Sequence, residues 1–318
     1  MDKIAVLIPC YNEAVTIKQV VCGYRTALPE AVIYVYDNNS TDDTAAIARE
    51  AGAIVRHEYR QGKGNVIRSM FRDIDAECYL MVDGDGSHPS EHAREMVAPV
   101  ISGEADMVIG NRLSSTYFTE NKRQFHNTGN RLVRRMINTL FSSNIGDIMS
   151  GYRALSYLFV KSYPVMSHGF ELETEMTIHG LDKRFNIKNV SVNFIERQEG
   201  TVSTLNTFSD GFKVMKTIVN LFKNHRPLAF FGIISIVLLI ISIVLVIPII
   251  IVFFETMEVP RIPTFVLAIF IALSSLLCLS VGLILDVIIQ RSRQDYELLL
   301  NQTRTTMQLK ASIETDKK

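Results

Sequence analysis

The sequence predicts an α/β domain with a Rossmann-like, mostly parallel sheet, followed by two apolar helices long enough to cross a membrane. Three observations carry this. Over residues 1–200, short β-branched runs alternate with amphipathic stretches; polar residues gather just after the runs; and from Leu228 the charge disappears. Strand–helix alternation of this kind builds a parallel sheet covered by helices on both faces.

The strands are expected at "IAVLI" (4–8), "VIYVY" (32–36), "AIVRH" (53–57), "CYLMV" (78–82) and "DMVIG" (106–110), short apolar runs suited to burial. Helices are expected at about 14–28, 42–51, 64–76 and 90–103. In such sheets ligands bind beyond the carboxyl ends of the strands. Those positions read "PCYNEA" (9–14), "DNNSTDDT" (37–44), "DGDGSH" (83–88) and "GNR" (110–112). Asp42 and Asp43 are assigned to capping the next helix. Asp37 comes too early to cap, and its place at a strand tip favours contact with a ligand.

The stretch "YLMVDGDGSHPSEH" (79–92) holds two aspartates one residue apart. Two Asp-Gly pairs would suit a hairpin turn, but Ser87 or Ser90 with Pro89 reads as a helix start, so the order is strand, turn, helix. If the strand continues through Gly84, Asp83 and Asp85 project to one side. Two carboxylates there suit a hard cation, Mg²⁺ or Mn²⁺, shared with a diphosphate, and the glycines let a phosphate approach the backbone. His88 is a candidate neighbour of that metal. His57, His92, His126 and His179 read as surface or internally satisfied residues.

Composition narrows the classes. Among 318 residues, 33 basic side chains balance 33 acidic ones, so the basic footprint of a nucleic-acid binder is missing. Cys10, Cys22, Cys78 and Cys278 form no CxxC pair and read as free thiols of a reducing compartment, without a zinc site. The opening "MDKIAVLIPCYNE" turns polar after one strand, unlike a signal peptide.

Leu228–Phe254 carries no charge, and Thr264–Ile289 is interrupted only by Asp286; each exceeds the roughly 20 residues a spanning helix needs. "KNHRP" before the first and "QRSR" after the second place the N-terminal domain and the tail in the cytoplasm by the positive-inside rule. Residues 205–223, "LNTFSDGFKVMKTIVNLFK", space Leu205, Phe208, Phe212, Met215, Val219 and Phe222 by three and four, the pattern of an interfacial helix. The expected organisation is therefore a catalytic domain (1–204), an amphipathic juxtamembrane helix (205–226), two spans within 227–290 (about 228–254 and 264–289) and a polar tail (291–318). Pro248 would kink the first span. Asp286, and the helical patch "YELLLNQTRTTMQL" in the tail, are compatible with a homo-oligomer.

"IPCYNEA", "YDNNSTDDT", "GKGN", "DGDGSHP", "GNR", "SGYRA", "GFELETE" and "ERQEG" occur in the order seen in inverting family 2 glycosyltransferases of the GT-A fold, and the match runs from about Ile4 to Asp210. With two C-terminal spans the chain resembles the polyprenyl-phosphate (dolichyl- or undecaprenyl-phosphate) glycosyltransferases. The resemblance implies that Pro9, Tyr11 and Glu13 line the nucleotide pocket, that Asp37 hydrogen-bonds the base, and that Lys63 approaches the nucleotide or its phosphates. It implies that Asp83 and Asp85 hold the diphosphate through Mg²⁺ or Mn²⁺. Arg112, Arg123, Asn127 and Arg197 would handle acceptor and donor phosphates, while Arg153 and Glu173 fall in motifs lining the sugar side. The chain departs from many relatives at Asn38, where they carry a second aspartate, and at Thr204, where they carry lysine.

A polyprenyl phosphate is already an anion and attacks without a general base, so the chemical problem is to bring it beside a negative diphosphate. A metal on the leaving group and arginines on the nucleophile meet that need. The tract 121–136 supplies Lys122, Arg123, Arg131, Arg134 and Arg135, of which Arg123, near a helix start, is the first choice for phosphate. Of Glu171, Glu173 and Glu175, only Glu173 is taken as a site residue, and none as a base. The expected activity is transfer of a hexose from a nucleotide sugar, UDP-linked by preference, to polyprenyl phosphate at a bacterial plasma membrane for cell-envelope glycan modification. The rivals are a transferase acting on diacylglycerol or a polysaccharide, and an inactive transferase-like scaffold. The chain's lack of tryptophan counts against the QxxRW-bearing polysaccharide synthases.

Overall fold

The computed structural model describes residues 1–112, 134–166, 172–193, 219 and 222–316. The chain divides into two compact units, Met1–Thr207 with Leu299–Lys318, and Phe208–Leu298.

The first unit opens with β1 (Asp2–Cys10), α1 (Ile17–Ala27), β2 (Ala31–Asp37), α2 (Thr44–Glu50), β3 (Ile54–His57), α3 (Lys63–Asp73) and β4 (Ala76–Met81). A 3₁₀ turn at Ser90–His92 leads into α4 (Ala93–Ile101) and β5 (Met107–Asn111). Beyond it, residues 134–141 are helical, followed by β6 (Arg153–Ser156), α5 (Tyr157–Ser162), α6 (Leu172–Asp182) and β7 (Ile187–Ser191). One seven-stranded sheet results, ordered β3-β2-β1-β4-β6-β5-β7. Strands β1, β2, β3 and β4 are mutually parallel, as are β5 and β7, and β6 runs antiparallel between β4 and β5.

All five expected strands form. Strands β6 and β7 are additions, and β6 makes the sheet mixed. Its four residues, Arg-Ala-Leu-Ser, begin with a charge and give no apolar run to read. The central strand explains itself: Ile4, Ala5, Val6, Leu7 and Ile8 are all fully buried, as expected where helices cover both faces. Even-numbered Ile4, Val6 and Ile8 meet Ile17, Val21 and Tyr24 of α1 and Met96 of α4 in one core cluster.

The second unit holds α7 (Pro227–Thr256) and α8 (Ile262–Asp316) as far as Leu298, the end of α8 being counted with the first unit. Both are long and apolar enough to cross a membrane, and α8 continues unbroken past Ile289, where the second span was expected to end. Pro248 lies inside α7. Within the hairpin, Ser275 Oγ donates to Ser235 O at 2.9 Å and Ser242 Oγ to Ala268 O at 2.8 Å. A Cβ on Gly282 would sit 3.1 Å from Phe231 Cβ. Small residues thus recur every seventh position on α8 (Ala268, Ser275, Gly282) against Ser235 and Ser242, close helix contact of the kind apolar surroundings favour. Asp286 accepts from Gln290 one turn along, at 2.9 Å. The amphipathic stretch 205–223 lies outside the described residues except for Val219, Phe222 and Lys223.

Candidate active site

Strand β1 has β2 on one side and β4 on the other, so the crossovers leave it in opposite directions and open a crevice at its carboxyl end. A cleft of about 370 Å³ lies there. Pro9, Cys10, Tyr11 and Glu13 from the end of β1 form one wall. Asn38 after β2, Gln61 to Lys63 with Val66 at the start of α3, and Asp83 to Asp85 after β4 supply the rest.

The aspartates reach the cleft by a different route from the one expected. Strand β4 stops at Met81, and Gly84 and Asp85 form a turn, with Gly86 at φ +74°, a conformation that favours glycine. Thr16 Oγ1 donates to Gly84 O at 2.7 Å and Ser87 N to Asp85 Oδ1 at 2.9 Å, fixing the turn against α1. A Cβ at position 84 would lie 2.7 Å from Cys10 Sγ, and one at Gly151 would lie 2.7 Å from Asp83 Oδ2. The two glycines therefore keep the surroundings of the carboxylates open.

Asp83 sits in a web of charge. Lys63 Nζ lies 2.6 Å from Asp83 Oδ1 and 2.7 Å from Glu173 Oε1. His88, buried and stacked on Tyr152 with ring centroids 5.2 Å apart, brings Nε2 to 3.3 Å from Asp83 Oδ2. Burial alone would raise the Asp83 pKa, but Lys63 and His88 hold it well below the usual carboxylate range. Burial alone would likewise lower the Lys63 ammonium, and the two carboxylates outweigh it and raise it. Cys10 belongs to the same wall, yet burial first and the surrounding carboxylates second push its thiol well up, which keeps it out of nucleophilic chemistry.

Two carboxylates on one cleft wall, with an ammonium already drawn to one of them, fit a hard divalent cation whose remaining ligands come from phosphate oxygens. Among the described residues no group of three His, Cys, Asp or Glu side chains stands together to hold a metal alone.

Asp37 is buried and is not among the residues that line the cleft. Its Oδ2 accepts from Ser40 N at 3.3 Å and meets His57 Nδ1 at 3.1 Å, while Oδ1 is buried without a hydrogen-bond partner. The adjacent Asn38 lines the cleft instead. Its Nδ2 donates to Glu58 O and Arg60 O, both at 2.8 Å, and its Oδ1 accepts from Gly62 N at 2.7 Å. Three bonds clamp the loop that leads to Lys63, and an aspartate has no hydrogens for the two carbonyls. Asp42, expected to cap α2, accepts from Thr44 N at 3.1 Å and also from Ala14 N at 3.1 Å, joining two loops.

Away from this cleft, several expectations change. Arg112 forms a two-point pair with buried Asp147, at 2.7 Å and 3.3 Å, so its guanidinium is committed to a carboxylate within the domain. Arg153 does not line the sugar side: it is wholly buried and donates to Ser150 O (2.8 Å), Ile148 O (2.7 Å) and Thr177 Oγ1 (2.9 Å). Burial lowers its pKa to about 10. Thr177 in turn donates to Glu173 O, so Arg153 steadies the helix that carries Glu173. His88 touches Asp83 of the cleft, while His57 meets Asp37, which does not line it. Arg123, Asn127 and Arg197 lie outside the described residues, as do Lys122, His126, Arg131, Glu171 and Thr204. Of the tract's described arginines, Arg134 donates to Gly146 O at 3.2 Å and Arg135 is exposed.

Asp147, Asn38, Gln61 and Gly62 were not singled out as site residues from the sequence. "QGKGN" carried the signal for the last two, a glycine flanking the basic residue, and Gly62 indeed adopts φ 122°.

A mixed α/β sheet with carboxylates at the turn after its fourth strand is the architecture of a GT-A glycosyltransferase. Residues 5–161 match the sequence profile of Glycosyl transferase family 2. Glycosyltransferase AglJ of Haloferax volcanii is 33% identical over 232 residues, covering 73% of this chain and 76% of that protein. Protein RfbJ of Shigella flexneri is 52% identical over 109 residues, 34% of this chain and 84% of the relative. In fold, the chain is similar to the crystal structure of glucosyl-3-phosphoglycerate synthase from Mycobacterium tuberculosis in complex with Mn²⁺, uridine-diphosphate-glucose and phosphoglyceric acid. That match has a TM-score of 0.56 at 20% identity and covers 70% of this chain and 79% of the other. The chain belongs to glycosyltransferase family 2 and is an enzyme of that class.

Proposed function

We propose that the protein transfers a hexose from a UDP-linked sugar to a membrane polyprenyl phosphate, with inversion, and so supplies a lipid-linked sugar for cell-envelope glycan modification. The acceptor phosphate oxygen attacks C1 of the sugar. The bond from C1 to the diphosphate oxygen breaks, and UDP leaves with the electron pair. No proton has to be removed from a phosphate already ionised at neutral pH. Glu173 suits this scheme, because its carboxylate is engaged by Lys63 instead of standing ready as a base.

Asp83 and Asp85 would hold Mg²⁺ or Mn²⁺, which when bound neutralises the departing diphosphate. A solved relative in fold carries Mn²⁺ with UDP-glucose, which supports this assignment. Pro9, Tyr11 and Glu13 line the nucleotide pocket, and Asp37, whose buried Oδ1 has no hydrogen-bond partner, would accept from the base. Arg123, Asn127 and Arg197 are assigned to the acceptor and donor phosphates. Arg112 would join them only by sharing itself with Asp147.

The observation that carries the acceptor class is the hairpin: helices α7 and α8 present large exposed apolar side chains such as Ile240, Val244, Phe254, Phe270 and Leu277 along lengths that suit a bilayer. We place the protein in the plasma membrane with its α/β unit and tail in the cytoplasm, tethered where a lipid phosphate is locally concentrated. Incubating the purified chain with Mn²⁺, undecaprenyl phosphate and labelled nucleotide sugars tests this. Label passes into the organic phase for one donor; no transfer from any donor, while a diacylglycerol or polysaccharide acceptor is glycosylated, overturns the acceptor class.

A further inference from the structure

Lys63 occupies the first position of α3. A cation there faces the positive end of the helix dipole, so helix formation does not call for it. Its ammonium instead lies between Asp83, on the cleft's carboxylate turn, and Glu173, on α6, at 2.6 Å and 2.7 Å. Only 19% of the side chain is exposed. The carbonyl loop before it is clamped by Asn38, and Gly62 at φ 122° sets its direction.

We propose that Lys63 is a latch on the metal seat: its ammonium takes the place of the divalent cation at Asp83 while the donor pocket is empty, and passes to the donor diphosphate when metal and nucleotide enter together. This rests on the reading of the cleft as a nucleotide-sugar site and adds to it an order of binding. Three features support an exchange over a permanent strut. The bonded oxygen belongs to one of the two carboxylates available to the metal. Lysine is a point charge on a flexible stem, able to move where a guanidinium fork would be fixed. Room for the movement exists, because position 151 is glycine and a Cβ there would lie 3.3 Å from Lys63 Nζ. Glu173 is then a positioning residue that keeps the ammonium beside the seat.

The consequence is coupling: metal without nucleotide must displace a bonded ammonium, whereas metal with nucleotide offers that ammonium a phosphate in exchange. The experiment is Mn²⁺ titration of the full chain in detergent, followed by the electron paramagnetic resonance signal of free Mn²⁺, with and without UDP. Removing a positive charge at contact distance is expected to tighten Mn²⁺ binding without UDP by about tenfold or more in Lys63→Met, and to shrink the enhancement by UDP by a similar factor. Lys63→Gln, which keeps a donor between the carboxylates, serves if Lys63→Met does not fold. Arg60→Met controls for general charge removal, since Arg60 is more exposed and pairs with Glu58; it should leave Mn²⁺ binding within about twofold of the native protein. Normal UDP-dependent Mn²⁺ uptake with no tightening in the Lys63 variants, or equal tightening in Arg60→Met, overturns the latch alone. Failure of the native chain to bind Mn²⁺ even with UDP overturns the donor-site reading and the latch with it.

Discussion

The cleft and the hairpin solve opposite problems. In the α/β unit nearly every buried charge has a named partner: Lys63 with Asp83 and Glu173, Arg112 with Asp147, Arg153 with two carbonyls and a hydroxyl. In the hairpin, large apolar side chains are broadly exposed and a few serines and small residues make the specific contacts. A buried charge without a partner is costly, so the first region tolerates few substitutions, each with its own consequence. The second is defined mainly by length and apolarity and should absorb most changes.

The sharpest test of this contrast is Asp85→Asn. It is nearly isosteric and leaves Ser87 N an oxygen to donate to, so the fold should survive while sugar transfer falls at least about a hundredfold from loss of a metal ligand. Organic-phase label measured beside a thermal melt checks it. Transfer at the native rate would remove Asp85 from the metal assignment.

Arg153→Leu distinguishes a buried strut from a sugar-binding residue. Its four hydrogen bonds, one of them to Met107 Sδ, vanish and two buried carbonyls lose a donor, a destabilisation of about 3 kcal/mol. The expected result is a large fall in melting temperature with an unchanged KM for donor in the folded fraction. A raised KM with native stability would return Arg153 to the sugar side.

Asn38→Asp should cost about 2 kcal/mol, because a carboxylate cannot donate to Glu58 O and Arg60 O and would repel both. Circular dichroism melts read the stability. The same change should weaken UDP binding through the loop that carries Lys63, measured by calorimetry. Native stability would mean that the relatives' aspartate fits here equally well.

What was legible in the sequence follows the same division. The two long apolar helices could be read almost directly, since uncharged runs such as Leu228–Phe254 are long and apolar enough to cross a membrane. Four of the five expected strands were legible because buried strands are continuous apolar runs; β3, expected to be buried with them, forms at the sheet edge with Ile54, Arg56 and His57 exposed. Strand β6 was not legible, because Arg153 opens it, and its partners are two carbonyls of the preceding turn, which no side-chain pattern announces, and Thr177, brought near only by folding. Asp83 and Asp85 were correctly placed after the fourth strand, but for a partly wrong reason: a turn, not a continued strand, delivers them to the cleft. The Arg112–Asp147 pair joins positions 35 apart, and no local pattern announces such a partner. Asn38 looked like a departure from family chemistry, and its role emerged only once the three backbone groups it clamps were visible.

The smallest expected effect lies in the hairpin and completes the contrast. Ser235 and Ser275 meet with their hydroxyls 3.0 Å apart, and Ser275 also donates to the Ser235 carbonyl. Hydrogen bonds between helices in a bilayer contribute modestly, about 0.6 kcal/mol on average, because the separated helices find other partners. Ser275→Ala removes only an oxygen and keeps the close approach that the small side chain permits. The hairpin should therefore lose about that amount in a steric-trap unfolding measurement in bicelles, with sugar transfer unaltered. Ser275→Leu adds bulk at the buried contact and should cost several times more, since overpacking a tight contact costs about 1–3 kcal/mol. Equal effects from the two substitutions would mean that the hydroxyl, and not the small size, holds α7 to α8.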